Sequence, residues 1–250
     1  MSNGIFSKLC LEKNFVAVKE LGFKNIEFNM KTVRKENDTV VYAAKKILDA
    51  SGLKCLTLHS ATLHVKDEVE VHRAVYYGKI SLEFARRLSA PIMTLHSDIS
   101  KKLTQEARER CLELIFNDLN ECAKSFNIKL ALENLSYTST GFGKNVDQLE
   151  EVLSIIDDGN MGITIDFCHA LETKQTAYLL EKYGKRICNV HMSNISHKPF
   201  TQENKELILF LAKLHECGYE GPITLELEQK TPIEEIARSK TLFDKLLNEF

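Results

Sequence analysis

The stretch Ile163-Thr164-Ile165-Asp166-Phe167-Cys168-His169-Ala170 decides how the rest of the chain is read. It is a short run rich in β-branched residues, as in a buried strand, that ends on a carboxylate and places an imidazole three residues later. The same arrangement recurs where apolar runs end on Glu133, His191 and Glu226. Parallel strands bring their C-terminal ends to one face, so these four side chains are expected side by side. Four ionisable groups gathered in a buried place are strongly unfavourable unless a cation neutralises them, and mixed carboxylate and imidazole donors suit a divalent metal.

On both sides of this stretch a strand-then-helix period repeats until it has occurred eight times. Strands are expected at residues 4–7, 25–28, 56–59, 92–96, 129–133, 162–166, 187–191 and 223–226. Between them run helical stripes: Leu11, Phe15, Val18 and Leu21, stopped by Gly22; Val40, Ala44, Ile47 and Leu48, ending before Gly52; and Leu112, Ile115, Phe116 and Leu119 within 104–126. The other helices are expected at about 68–88, 146–156, 177–183, 203–216 and 233–247. Eight βα units in 250 residues favour a (β/α)8 TIM barrel, one domain over residues 1–250, rather than an open doubly wound sheet. Active sites of such barrels lie at the strand C-termini.

Composition narrows the function classes. A formal charge of −2 offers no overall basic footprint, which disfavours nucleic acid as a partner. No apolar run approaches the roughly 20 residues of a membrane span, and the N-terminus lacks signal-peptide organisation, so a cytoplasmic location with no membrane partner is expected. Seven scattered cysteines without a CxxC pair suggest reduced core residues, not a disulfide framework or thiolate zinc site. No glycine-rich GxGxxG turn follows any strand, so no nucleotide cofactor is expected.

Glu27, His59 and His96 end their strands as the four principal residues do, so seven of eight strands finish on an acidic or imidazole side chain. Each has a plainer reading: Glu27 could pair with a lysine, and His59 and His96 could be satisfied core histidines. Their matching strand-end positions favour a place in the pocket. His64, His72 and His215 fall on loops or helices with no partner signal, while His197 lies on the loop after the seventh strand, where a contact with substrate and a plain surface position are equally compatible with the sequence.

At these residues the chain resembles the xylose isomerase-like barrel superfamily, which includes sugar isomerases, epimerases and endonuclease IV. The resemblance covers nearly the whole chain and rests on Leu-Ala-Leu-Glu133-Asn134, Ile-Asp166-Phe-Cys-His169-Ala, Val-His191-Met-Ser and Leu-Glu226-Leu-Glu. It implies that Glu133, Asp166, His191 and Glu226 hold one divalent metal (Mn, Co, Zn or Mg), and that Glu133 and Glu226 are also the proton-transfer bases. It further implies that His169 binds a substrate oxygen, with Asn134, Glu27 and His197 as further substrate-binding candidates; His197 stands where ketose 3-epimerases use an arginine.

The reaction implied is isomerisation or epimerisation of a sugar or sugar phosphate through an enediolate. By resemblance to endonuclease IV, His59 and His96 would hold a second metal bridged by Glu133. That enzyme completes a third site with an Asp-x-His pair, and no aspartate lies between His191 and Glu226. An AP endonuclease-like phosphodiesterase is therefore the alternative, followed by a non-catalytic metal- or sugar-binding barrel. Homo-oligomerisation stays open.

Overall fold

The computed structural model describes residues 1–33, 38–155 and 159–249. Seven parallel strands follow one another in sequence order: β1 (Asn25–Asn29), β2 (Lys54–His59), β3 (Ile92–Leu95), β4 (Lys129–Glu133), β5 (Met161–Asp166), β6 (Ile187–Met192) and β7 (Ile223–Leu225). The nine α-helices among the described residues are α1 (Leu11–Glu20), α2 (Asp38–Ser51), α3 (Val71–Leu88), α4 (Gln105–Ser125), α5 (Val146–Leu153), α6 (Phe167–Glu172), α7 (Thr176–Tyr183), α8 (Lys205–Glu216) and α9 (Ile233–Leu247). This is the TIM-barrel architecture expected from the βα period. The end of the helix expected at 146–156 falls partly outside the described residues, since Ile156 is not among them.

The expected first strand at residues 4–7 is not formed; Asn3–Phe6 makes a 3₁₀ turn instead. The ring is closed one step earlier, where the Ser2 amide donates to Leu225 O at 3.0 Å and the Glu27 amide donates to Met1 O at 2.9 Å. Ser2 thereby bridges β7 and β1, with a parallel pairing to Glu27. Asn3 then turns the chain away: its Oδ1 accepts the Asn29 amide at 2.8 Å, a local bond that replaces continued ladder pairing.

Helix ends follow their capping residues. Thr104, Asn145 and Asn204 accept backbone amides at the starts of α4, α5 and α8, while Gly22 and Gly52, at φ +78° and +72°, lie just past α1 and α2. α6 was not anticipated. It begins immediately after β5 because Asp166, besides ending the strand, caps it by accepting the His169 amide at 2.8 Å.

The apolar core lies between the strands and the helices. Phe15, Val18, Leu112, Leu119, Phe167 and Phe210 are fully buried there, and Phe167 packs on Phe210 with ring centroids 4.7 Å apart. Inside the ring the lining is polar. Thr94 and Thr164 hydroxyls meet at 2.8 Å across the barrel, Asn189 Nδ2 lies 3.2 Å from Thr94 Oγ1, and Thr224 donates to Asn189 Oδ1 at 3.3 Å. This hydrogen-bonded layer forms the floor beneath the strand tips. Among the described residues no helix is long and apolar enough to cross a membrane.

Candidate metal centre

Parallel pairing sets the heights of the donors. Asp166 stands beside His191 in the β5–β6 register, Glu133 beside Thr164, and Glu226 follows the last residue of β7, whose Thr224 stands beside His191. Strand alternation turns all four toward the barrel axis. One donor atom from each of Glu133, Asp166, His191 and Glu226 lies within 4.8 Å of all the others. Glu133, Asp166 and His191 are buried.

At the centre is His191 Nδ1, 2.8 Å from Glu226 Oε2 and 3.4 Å from Glu133 Oε1, without hydrogen-bond alignment to either. Its other nitrogen, Nε2, lies 2.9 Å from Glu27 Oε2. Four buried atoms at these strand tips lack hydrogen-bond partners: Asp166 Oδ2 and His191 Nδ1 in the four-donor group, and Glu133 Oε2 and His96 Nε2 beside it. Buried polar atoms are rarely left so, and orphaned acceptors that converge are what a cation would satisfy. The donor set therefore fits a divalent ion.

The second group also assembles. His59 Nε2 and His96 Nε2 approach Glu133 Oε2 at 3.3 and 3.1 Å. Glu133 thus turns one oxygen to each group. His59 Nδ1 faces the Ser60 carbonyl at 3.2 Å, and His96 Nδ1 lies 3.8 Å from Asp98 Oδ1. A carbonyl only accepts, so His59 Nδ1 carries the hydrogen and a neutral ring offers Nε2 inward.

A third group was not expected. Asp166, His169 and His197 also bring donor atoms within 4.8 Å of one another. The missing aspartate of the loop after β6 therefore does not leave His169 alone, because His197 reaches it with Nε2 to Nε2 at 3.2 Å. His169 Nδ1 donates to Asn134 O at 2.8 Å, so its Nε2 is a lone pair in the neutral ring. His197 Nδ1 lies 3.2 Å from Ser193 Oγ. If His197 carries its hydrogen on Nδ1, two lone pairs face each other and only a cation or an added proton reconciles them. Ser196 and His197 both take left-handed backbone, at φ +59° and +52°. Such strain costs roughly 1–2 kcal/mol per residue. It is held here by the Glu228 amide, which donates to His197 O at 3.0 Å.

Two expected substrate groups are placed elsewhere. Asn134 is fully buried and its amide clamps the Asp166 backbone, accepting from Asp166 N at 2.8 Å and donating to Asp166 O at 3.1 Å. Glu27 lies under the cluster, its Oε2 accepting from Thr57 Oγ1 at 2.9 Å, Asn189 Nδ2 at 3.0 Å and His191 Nε2. β1 extends past Glu27, so its inward tip residue is Asn29. Ser193 and Asp98, each two residues past a strand-tip histidine, were missed. Strand alternation continued by one step would have flagged both.

Electrostatics without a metal reflect the crowding. Burial disfavours charge on His191, yet Glu27, Glu133 and Glu226 outweigh it and raise its pKa well above the ordinary value. His96 behaves alike: burial opposes its charge, but Glu133 and Asp98 raise it to about 9. Burial would raise Glu133 and Glu226, and the histidines, His191 foremost, drive both below the usual carboxylate range. Asp166 alone is pushed up, by burial above all; His169 gives the strongest opposing pull, and Glu133 and Glu226 add smaller upward pushes.

Comparison with known proteins agrees with this fold. An uncharacterised protein of Methanocaldococcus jannaschii is 28% identical over 178 residues, 67% of this chain and 60% of that one. The inosose isomerase of Halalkalibacterium halodurans is 24% identical over 201 residues, 73% of this chain and 70% of the relative. The fold matches a D-tagatose 3-epimerase-like protein at TM-score 0.82 and 22% identity, covering 100% of this chain and 96% of that one. It matches the IolI protein with a bound zinc atom at TM-score 0.81 and 17% identity, covering 100% and 98%. The family model of the xylose isomerase-like TIM barrel spans residues 15–245, and with its strand-tip donors in place the chain belongs to that family.

Proposed function

We propose that this protein is a divalent-metal-dependent isomerase or epimerase of a sugar or sugar phosphate, with Glu133 and Glu226 as its proton-transfer groups. The observation that carries the reading is the convergence of these two carboxylates, from the separated strands β4 and β7, on one imidazole nitrogen, at 3.4 and 2.8 Å from His191 Nδ1. The similarity to an inosose isomerase and to a D-tagatose 3-epimerase-like protein supports it.

Removing a proton from a carbon beside a carbonyl places negative charge on the carbonyl oxygen, and that charge is the main obstacle to reaction. A divalent ion, when bound, supplies Lewis-acid stabilisation of it. Glu133 and Glu226 are carboxylates able to accept a proton when ionised and to deliver one when protonated. The ionised one takes the proton from one side of the substrate, and the other, protonated from solvent, delivers its own proton on the opposite side to invert the centre. Return at the neighbouring carbon gives the isomer. His169 and His197 present ring nitrogens that can hold a substrate hydroxyl, with Ser193 and Asn134 fixing the rings.

The test is a panel of ketoses and ketose phosphates incubated with metal-loaded protein in D₂O. Conversion with solvent deuterium at the epimerised or isomerised carbon is expected. No conversion and no exchange across the panel would overturn the reading.

The third group, Asp166, His169 and His197, favours a second reading: phosphodiester hydrolysis, in which the three donor groups, with Glu133 and Asp166 each belonging to two, would hold several cations. Cleavage of an abasic-site oligonucleotide, with silence on the sugar panel, would put it first. Silence in both assays with metal retained would indicate a binding barrel.

A further inference from the structure

The mechanism leaves one buried carboxylate unused. Glu27 is fully buried on β1, 164 residues before His191 and on the far side of the ring closure from it. Three side chains donate to its Oε2: Thr57 at 2.9 Å, Asn189 at 3.0 Å and His191 Nε2 at 2.9 Å. Its Oε1 is buried with no partner. A carboxylate excluded from water needs positive charge nearby; the His191 ring supplies it in direct contact, with the Met1 ammonium and His59 acting on it without a hydrogen bond.

We propose that Glu27 is a positioning residue that fixes His191 as the tautomer protonated on Nε2, with the Nδ1 lone pair aimed at the cation. A carboxylate only accepts, so the 2.9 Å contact places the hydrogen on Nε2. The three donors leave Glu27 Oε2 no freedom to turn, since Thr57 comes from β2 and Asn189 from β6, the strand of His191 itself. The ring is thus held from below as well as along its own strand. The negative charge behind the imidazole also makes Nδ1 a stronger donor, as carboxylate–histidine pairs do at metal sites, where losing the outer partner costs typically about 10–100-fold in metal affinity. Glu27 contacts His191, not the other three donors, and so acts through one ligand.

The inference rests on the four-donor group holding a cation, and the test separates the two. Full-length protein labelled with ¹⁵N-histidine is loaded with Zn²⁺, and the His191 ring is read by two-bond ¹H–¹⁵N correlation. A ring protonated on Nε2, with the Nδ1 shift of a metal-bound nitrogen, is expected. In parallel, Zn²⁺ affinity is measured for wild type and Glu27→Gln, whose amide keeps the size but loses the charge; a drop of about 10–100-fold is expected. A wild-type ring protonated on Nδ1, or an unchanged affinity in a folded Glu27→Gln, overturns the role of Glu27 while the metal site stands. Wild type that takes up no Zn²⁺ overturns both. If Glu27→Gln does not fold, the wild-type tautomer decides.

Discussion

Glu133 turns Oε1 toward His191 and Oε2 toward His59 and His96, so the proposed base is also the residue that joins two groups of donors. Replacing Glu133 or Glu226 with Gln removes a proton acceptor and keeps its shape. Turnover should fall at least about 10²-fold in each, a general base contributing about 10²–10⁴-fold. Metal content measured beside the rate separates lost chemistry from lost metal. Wild-type rates in a metal-replete variant would exclude the two-carboxylate mechanism.

The histidines set a pH dependence whose sign is fixed. His96 rises from 6.5 to about 9 in the metal-free fold, and His191 also rises. A raised pKa stabilises the fold fully below the unfolded value and loses that contribution as pH climbs through the folded value. Chelator-treated protein should therefore melt at progressively lower temperature from about pH 6.5 to 9. Metal-loaded protein should not follow it, because the cation replaces the protons. Metal affinity should rise over the same window, with proton release measurable by calorimetry in buffers of different ionisation enthalpy.

At the level of elements, the junction between β5 and α6 carries the most function in the fewest residues. Asp166 ends the strand, caps the helix through the His169 amide, and offers Oδ2 to the cluster, while Asn134, the residue after β4, holds its backbone at both ends. Asn134→Ala would leave the buried Asp166 amide unpaired and cost about 1–3 kcal/mol, read as a lower urea midpoint. If the midpoint is unchanged, the clamp adds nothing.

Gly162, on the same strand, faces β6 closely: a Cβ there would lie 2.2 Å from Cys188 Sγ and 2.4 Å from Arg186 O. The register shifts beside it, between Ile163 and Thr164. Gly162→Ala should lower stability by about 1–3 kcal/mol or more, because one of the clashing atoms is backbone. Gly78→Ala meets only the Leu119 side chain and should cost less in the same denaturation series.

For the molecule as a whole, the donors of the four-residue group stand at the ends of β4, β5, β6 and β7, so they meet only when those four strands are assembled side by side. Binding to the folded state alone then stabilises the entire barrel, by about 2.7 kcal/mol at a metal concentration 100 times Kd. Thermal unfolding should shift upward on adding Zn²⁺ or Mn²⁺ and return with chelator. An unmoved melting temperature at saturating metal would show that the donors do not act together. The polar floor of Glu27, Thr57, Thr94, Thr164, Asn189 and Thr224 lies beneath them, hydrogen-bonded across the ring and independent of any ion.

What the chain determines locally could be read without coordinates. Alternation within strands, helical stripes and the glycines that end them depend on neighbours a few residues apart, and so the βα period, the barrel and the strand-tip residues Glu133, Asp166, His191 and Glu226 followed from sequence. The tertiary structure decided what depends on closing the ring. Met1 and Ser2, not residues 4–7, complete it, because the Asn3 side chain takes the Asn29 amide and turns the chain. Glu27 faces down onto His191, since β1 runs two residues past it. His197 meets His169 only because the left-handed pair at 196–197 folds the loop back over α6. Glu27 and His191 stand 164 residues apart and touch because the ends of the sheet meet; no local periodicity records that distance.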